Sequence, residues 1–319
     1  MEVAVTGDRL VAGATLATKA GESWPRPGQG RTVELWRALA SLASHDLTMA
    51  RVVEPHLDAH AILDQAAIPT AERPQGLLGV YAAEGPGVRV EATESESGWR
   101  LEGTKPWCSL APLVAGFLVT AWVDDTRRGL FLVEGGTPEV EVLETDWHAR
   151  GLRAVHSPAV RLHGVAARSV GEPGWYLQRP GFAWGGMGVA AIWYGGAVGL
   201  ARRLLVGGRE PDQIALMHLG AVDAALHRCG VVLTQAAADI DAGAADGETG
   251  ARLALRVRQV VREACEEVLQ RVDHALGPAP LTGEEEHARR VADLHLYLRQ
   301  EHAERDQAAL GRLVWEHDR

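Results

Sequence analysis

The chain has 319 residues, more than one average domain, so two or three cooperating units are expected. Its 46% hydrophobic and 23% charged composition is that of an ordinary soluble globular protein. The net charge of −10 argues against a nucleic-acid partner, which needs a basic face for phosphates, and gives no reason for adhesion to an anionic membrane.

Cys108, Cys229 and Cys265 form no CxxC pair, which points away from a zinc site or disulfide framework and suits a reducing cytoplasm. The first residues lack a basic stretch followed by an apolar core, so no signal peptide is expected. Residues 181–201 carry no charge, but seven of them are glycine. They read as the buried central helix of a soluble bundle rather than a membrane span.

Residues 1–30 are glycine-rich and poorly periodic, and read as a loose arm. From Thr32 a helical period sets in through Val33, Leu35, Trp36, Leu39 and Leu42. Ser44 and Asp46 offer caps for a second helix that Pro55 is expected to interrupt or restart. His56 and His60 stand four apart but lack a third ligand, so a solvated helix face is expected and no metal. Leu77 to Val90 reads as the first sheet segment, and Phe117–Val123 and Gly129–Val133 as further strands. Trp147, Gly151, Arg153 and Ser157 read as part of a second strand set. From Pro180 helices are expected over 181–205, 212–242, 248–276 and 284–313, four long amphipathic segments suited to an up-down bundle.

The stretch Gly98-Trp99-Arg100-Leu101-Glu102-Gly103-Thr104-Lys105-Pro106-Trp107-Cys108-Ser109 has the form G-x-x-L-x-G-x-K-x-W-x-S. It is followed by apolar strands, by Gly151-x-Arg153-x-x-x-Ser157, and by a Gly- and Pro-rich exit into helices. This ordered series resembles the acyl-CoA dehydrogenase superfamily, over about Leu39 to Gly311. The resemblance implies a mixed α and β fold: a trimmed helical N-terminal part (1–75), a β-barrel-like middle domain (76–178) and a C-terminal four-helix bundle (179–319). It implies an FAD-dependent oxidoreductase that removes hydrogens from the α and β carbons of an acyl thioester. It also implies a homodimer or homotetramer.

The same resemblance proposes site residues. Ala82-Ala83-Glu84-Gly85-Pro86-Gly87-Val88 stands where the family meets the flavin ring, with Ala83 and Glu84 contributing backbone contacts and hydroxyl side chains missing. Trp107 and Ser109 would face the ring, two residues apart on one side of a strand, and Cys108 would be inert. A core tryptophan is the alternative for Trp107. Gly151 and Arg153 would form a turn supporting the sheet, with cofactor or partner-subunit contacts as the alternative for Arg153. Arg209 and Gly277 stand near the family residues that, partly from a neighbouring subunit, hold the FAD phosphates, although Pro278 replaces a glycine and donates no N–H. Ion pairing within the bundle is the alternative for Arg209. Glu301, eight residues after Asp293, falls in the register of the catalytic base, with His302 as the alternative. A solvated helix face is the competing reading of this polar stretch. No dinucleotide turn, nucleophile elbow or phosphate loop is present. Two other functions are compatible: a flavin monooxygenase or oxidase on the same fold, and a non-catalytic subunit paired with a full-length homologue.

Overall fold

The structure, a computed structural model, describes residues 2–96, 98–144, 146–206 and 210–317. Contacts divide the chain into two compact units. Unit 1 comprises Met1–Trp24, Arg51–His148 and Ala154–Phe182, and unit 2 comprises Pro25–Ala50, Ala149–Arg153 and Ala183–Arg319.

Unit 1 is built on seven strands: β1 (Leu78–Tyr81), β2 (Val90–Ser95), β3 (Gly98–Lys105), β4 (Gly116–Trp122), β5 (Arg128–Glu134), β6 (Val140–Val142) and β7 (Val160–Ser169). The pairings β4–β2, β2–β3, β3–β7, β7–β5 and β5–β4 close a five-stranded barrel, with β1 beside β4 and β6 beside β7. Closure removes the open edges a flat sheet would expose. β4 is buried on both faces, which explains its unbroken apolar run. Leu118, Leu130 and Leu132 pack with Leu78, Ile62 and Leu63, the last two from helix α3 (Leu47–Gln65). Phe117, Val119 and Phe131 alternate onto the opposite face.

Residues 2–23 form helix α1 (Glu2–Ser23), not a loose arm. A Cβ at Gly13 would lie 3.2 Å from Val52, and one at Gly21 would lie 2.5 Å from the His56 ring. The small residues that read as loop are what bring α1 close to α3. His56 is buried, and its Nδ1 accepts the Leu78 N–H at 3.0 Å, so the solvated face expected for it is not observed. No metal-binding group of three ligands is found among the described residues. Pro55 sits inside α3 without ending it. A short helix α4 (Trp175–Gln178) follows the last strand.

Unit 2 contains α2 (Thr32–His45), the rest of α5 (Pro180–Ala201), α6 (Gln213–Asp241), α7 (Gly247–Leu276), α8 (Pro278–Gly283), α9 (Glu285–Tyr297) and α10 (Glu304–His317). α5 buries Met187, Ile192, Trp193 and Leu200, as its uncharged sequence suggested. α6 is long and apolar enough to cross a membrane by length and composition, and it exposes Asp223, His227 and Arg228 midway. The glycines of α5 set its spacing from α2. A Cβ on Gly195 would lie 2.2 Å from the Ala40 carbonyl oxygen. Gly195→Ala is therefore expected to lower stability by about 1–3 kcal/mol, measured by urea denaturation.

The expected fourth bundle helix is interrupted. α9 passes through a 3₁₀ turn (Leu298–Gln300) and the chain breaks at Glu301–Ala303 before α10 begins. Ala303 adopts a left-handed φ of 48°. Gly151 and Leu152 lie against α9, where a Cβ on Gly151 would stand 2.0 Å from the Ala292 carbonyl oxygen. The Leu152 N–H donates to Asp293 at 2.6 Å. This turn thus braces a helix rather than the sheet, Arg153 is exposed, and residues 146–159 are not a strand.

Candidate functional site

Two segments singled out in the sequence meet in unit 1: the exit of β1 (residues 82–85) and the turn after β3 (residues 106–110). A Cβ on Gly85 would lie 3.0 Å from the Pro106 ring, and the Tyr81 hydroxyl donates to the Ser109 carbonyl at 3.1 Å.

The hub of this region is Lys105, the lysine of the G-x-K-x-W pattern, only 1% exposed. Its ammonium donates to Glu84 Oε1 at 2.6 Å, to Thr120 Oγ1 at 2.8 Å and to the Thr120 carbonyl at 3.1 Å. Three donors meet three acceptors, so the buried charge is fully satisfied. Arg128 adds a second cation 3.2 Å from Glu84 Oε1. Burial opposes ionisation of Glu84, but Lys105 and Arg128 outweigh it and hold the carboxyl below its usual range. Glu84 therefore ties β1, β3, β4 and β5 together with its side chain. Ala83, beside it, is exposed.

β3 ends at Lys105, so Trp107 and Ser109 do not share a strand face as expected. They lie on a tight turn in which Trp107 (φ 54°) and Leu110 (φ 60°) are both left-handed. Such backbone is uncommon for bulky residues and persists only where neighbours over-determine it. Here the Cys108 N–H donates to the Pro158 carbonyl and the Leu110 N–H to the His156 carbonyl, both at 2.8 Å. Cys108 points inward, and burial pushes its thiol up to about 12. The Trp107 indole turns outward, 55% exposed, and is not a core tryptophan.

The Ser109 hydroxyl is embedded in a polar chain. Arg51 Nη2 donates to Ser109 Oγ at 3.1 Å, Ser109 and Ser157 Oγ are 2.9 Å apart, and the Ser157 hydroxyl donates to the Val155 carbonyl at 3.1 Å. Glu54 steadies Arg51 from 3.2 Å. Sequence reading assigned no role to Lys105, Thr120, Arg128 or Arg51, and none to the Ser157 hydroxyl. Only Lys105 and Ser157 carried a signal, as members of recognisable motifs.

The remaining candidates fall in unit 2, except Arg209, which lies outside the described residues. Glu301 is 3% exposed, not on a solvated helix face. Its Oε2 pairs with Arg262 Nε at 2.7 Å and accepts the Ala303 N–H at 2.8 Å. Its Oε1 is buried and has no hydrogen-bond partner among the described residues. Arg262 also donates to Glu266 at 2.6 Å, and Arg258 donates to the Gln300 carbonyl at 3.3 Å and to the Gly186 carbonyl at 2.8 Å. Two arginines one turn apart on α7 thus grip the break after α9. His302 is exposed, and its N–H donates to Asp306 at 3.1 Å. Gly277 has φ 66° and caps α7, its N–H donating to the Asp273 carbonyl at 2.9 Å.

These residues give a divided answer to whether a flavin fits. The exposed Trp107 face, the Ser109 hydroxyl and the backbone at Ala83 suit the edge and face of an isoalloxazine ring. In unit 2, taken by itself, the Gly277–Pro278 turn offers a phosphate little, because Gly277 has spent its N–H on the helix cap and Pro278 has none.

No family model matches the sequence, and no curated protein matches it. Solved structures do. Dibenzothiophene monooxygenase TdsC from Paenibacillus sp. A11-2 is 21% identical over 89% of this chain and 83% of its own, with a TM-score of 0.74. Its FMN-bound form gives a TM-score of 0.76 at 20% identity, over the same shares of the two chains. Nitrososynthase from Micromonospora carbonacea var. africana is 20% identical over 92% and 90%, with a TM-score of 0.70. Butyryl-CoA dehydrogenase from Megasphaera elsdenii is 17% identical over 93% and 84%, with a TM-score of 0.74. The chain has the acyl-CoA dehydrogenase fold.

Proposed function

We propose that this protein is a flavin-dependent oxidoreductase of the oxygen-using kind, a monooxygenase or oxidase, working with FMN rather than FAD. The observation that carries the choice of chemistry is the Glu301–Arg262 ion pair. Abstracting an α-proton from a thioester needs a carboxylate that can reach the substrate. Glu301 has one oxygen committed to Arg262 and the Ala303 N–H and the other enclosed. Moving it toward a substrate would break its 2.7 Å ion pair with the buried Arg262, which would keep only the more exposed Glu266 and Glu263. Acyl thioester dehydrogenation, the first expectation from sequence, is therefore the less supported reading.

The preference for FMN rests on the spent Gly277 N–H and on Pro278, and the FMN-bound TdsC structure agrees with it. A bound reduced flavin supplies two electrons to oxygen. The protein's part is to hold the ring against Trp107 and to present hydrogen-bonding groups at the β1 exit and at Ser109.

The test is to add FMN or FAD to purified protein and record absorbance, then reduce the flavin and follow oxygen. Stoichiometric FMN binding with rapid oxygen uptake, and no bleaching by butyryl-CoA without oxygen, is expected. Bleaching by the thioester would restore the dehydrogenase reading. A protein that binds neither flavin would be the non-catalytic subunit, and co-purification would then identify its partner.

The three cysteines provide a check on the fold in the same preparation. All are buried. Burial pushes Cys108 and Cys229 up to about 12 and Cys265 well above its ordinary value. At about pH 8, near the ordinary thiol pKa, the native protein is expected to resist a thiol-disulfide reagent and to react at all three positions once denatured.

A further inference from the structure

The Arg51–Ser109–Ser157–Val155 chain has a direction. A guanidinium only donates, and a carbonyl only accepts. With Arg51 donating to Ser109 Oγ and Ser157 donating to the Val155 carbonyl, the contact between the two hydroxyls is satisfied only when Ser109 donates to Ser157. Ser109 then has no proton left to give. One lone pair takes the Arg51 N–H, the proton goes to Ser157, and one lone pair remains. Its hydroxyl has become an acceptor.

This matters for a flavin because the two redox states differ at N5. Oxidised flavin presents a bare nitrogen that accepts a hydrogen bond, whereas two-electron-reduced flavin carries N5–H and donates one. We infer that Arg51 and Ser157 are positioning residues that fix the Ser109 proton so that this site favours reduced over oxidised flavin, a statement that rests on the flavin reading above. An oxidised ring at the same place would set N5 against the lone pair of Ser109, an unmade hydrogen bond with two acceptors facing each other. Reduced flavin is the state that consumes oxygen, so the wiring suits the proposed chemistry.

The experiment is anaerobic calorimetric titration of the flavin-free protein with oxidised FMN and with dithionite-reduced FMN. The wild-type protein is expected to bind the reduced form at least about fivefold more tightly, the size of one hydrogen bond. Ser157→Ala removes the acceptor of the Ser109 proton and lets it turn to N5. That variant is expected to gain affinity for oxidised FMN and to lose the preference. Ser109→Ala should lose the preference by the opposite route, weaker binding of reduced FMN. Ser157→Thr keeps the hydroxyl and should retain the wild-type ratio, which guards against a variant that merely disturbs the fold. Equal wild-type affinity for the two forms, or an unchanged ratio in Ser157→Ala, overturns the inference while leaving the flavin reading standing. Binding of neither form overturns both.

Discussion

Lys105→Met is expected to cost about 3 kcal/mol of folding stability, because it removes one member of a buried charge pair and leaves the acceptors that it served unpaired. Methionine preserves most of the lysine's shape, so the loss reports the ammonium rather than a cavity. Three acceptors are abandoned together, Glu84 Oε1, Thr120 Oγ1 and the Thr120 carbonyl, and they belong to the structure on which the β1 exit depends. Arg128 still faces Glu84, and the Glu84 side chain is 31% exposed, which keeps the loss from being larger. Chemical denaturation measures it. A change below about 1 kcal/mol, the net worth of a single ordinary hydrogen bond, would show that the hub does not hold the barrel together.

The same variant carries a pH signature. The folded-state pKa of Glu84 is held below its unfolded value. Its contribution is therefore complete above the unfolded carboxylate pKa, about 4.3, and is lost as pH falls through the folded value. Wild-type stability should decline on this acid limb more steeply than that of Lys105→Met. Parallel acid limbs in the two proteins would count against the assignment.

Arg262→Met is expected to cost about 3–5 kcal/mol, since it leaves Glu301 as an uncompensated buried carboxylate. Arg262→Met combined with Glu301→Met should recover most of that loss, because two well-packed apolar side chains can replace a buried ion pair at little cost. Non-additivity of this kind is what a double-mutant cycle detects. The functional half of the test uses Glu301→Gln. On the oxygen-using reading this variant still binds flavin, and its reduced form still consumes oxygen. Complete loss of turnover on an acyl thioester, in a protein that remains folded and flavin-bound, would instead make Glu301 the base.

Gly277 and Glu301 show how a motif can survive in sequence while its chemistry is redirected. Both stand in register with the family pattern. Yet the Gly277 N–H is spent on the end of α7, and the Glu301 carboxylate is enclosed by Arg262 and the Ala303 N–H. Spacing along a chain reports which residues occupy a position. It does not report which partners reach them, and hydrogen bonds are exclusive enough that one local partner decides the matter.

By itself the sequence determined the strands β4 and β5, the helices α2, α5, α6 and α7, and the resemblance that named the fold. These are elements whose apolar period or uninterrupted burial is written in neighbouring residues. Strand alternation led to the expectation that Cys108 would be inert, but the strand ends at Lys105 and it is the turn after it that buries the thiol. Only the tertiary structure decided the rest. Gly13 and Gly21 read as loop until the close passage of α1 over α3 explained them. The break at Glu301–Ala303 was hidden in a stretch with ordinary helical composition, and Arg258 and Arg262, some forty residues earlier, hold it. The direction of the Ser109 proton depends on Arg51 and Ser157, which lie 58 residues before it and 48 residues after it. Burial, ion pairing and proton direction are set by atoms that meet in space, and local periodicity carries no record of them.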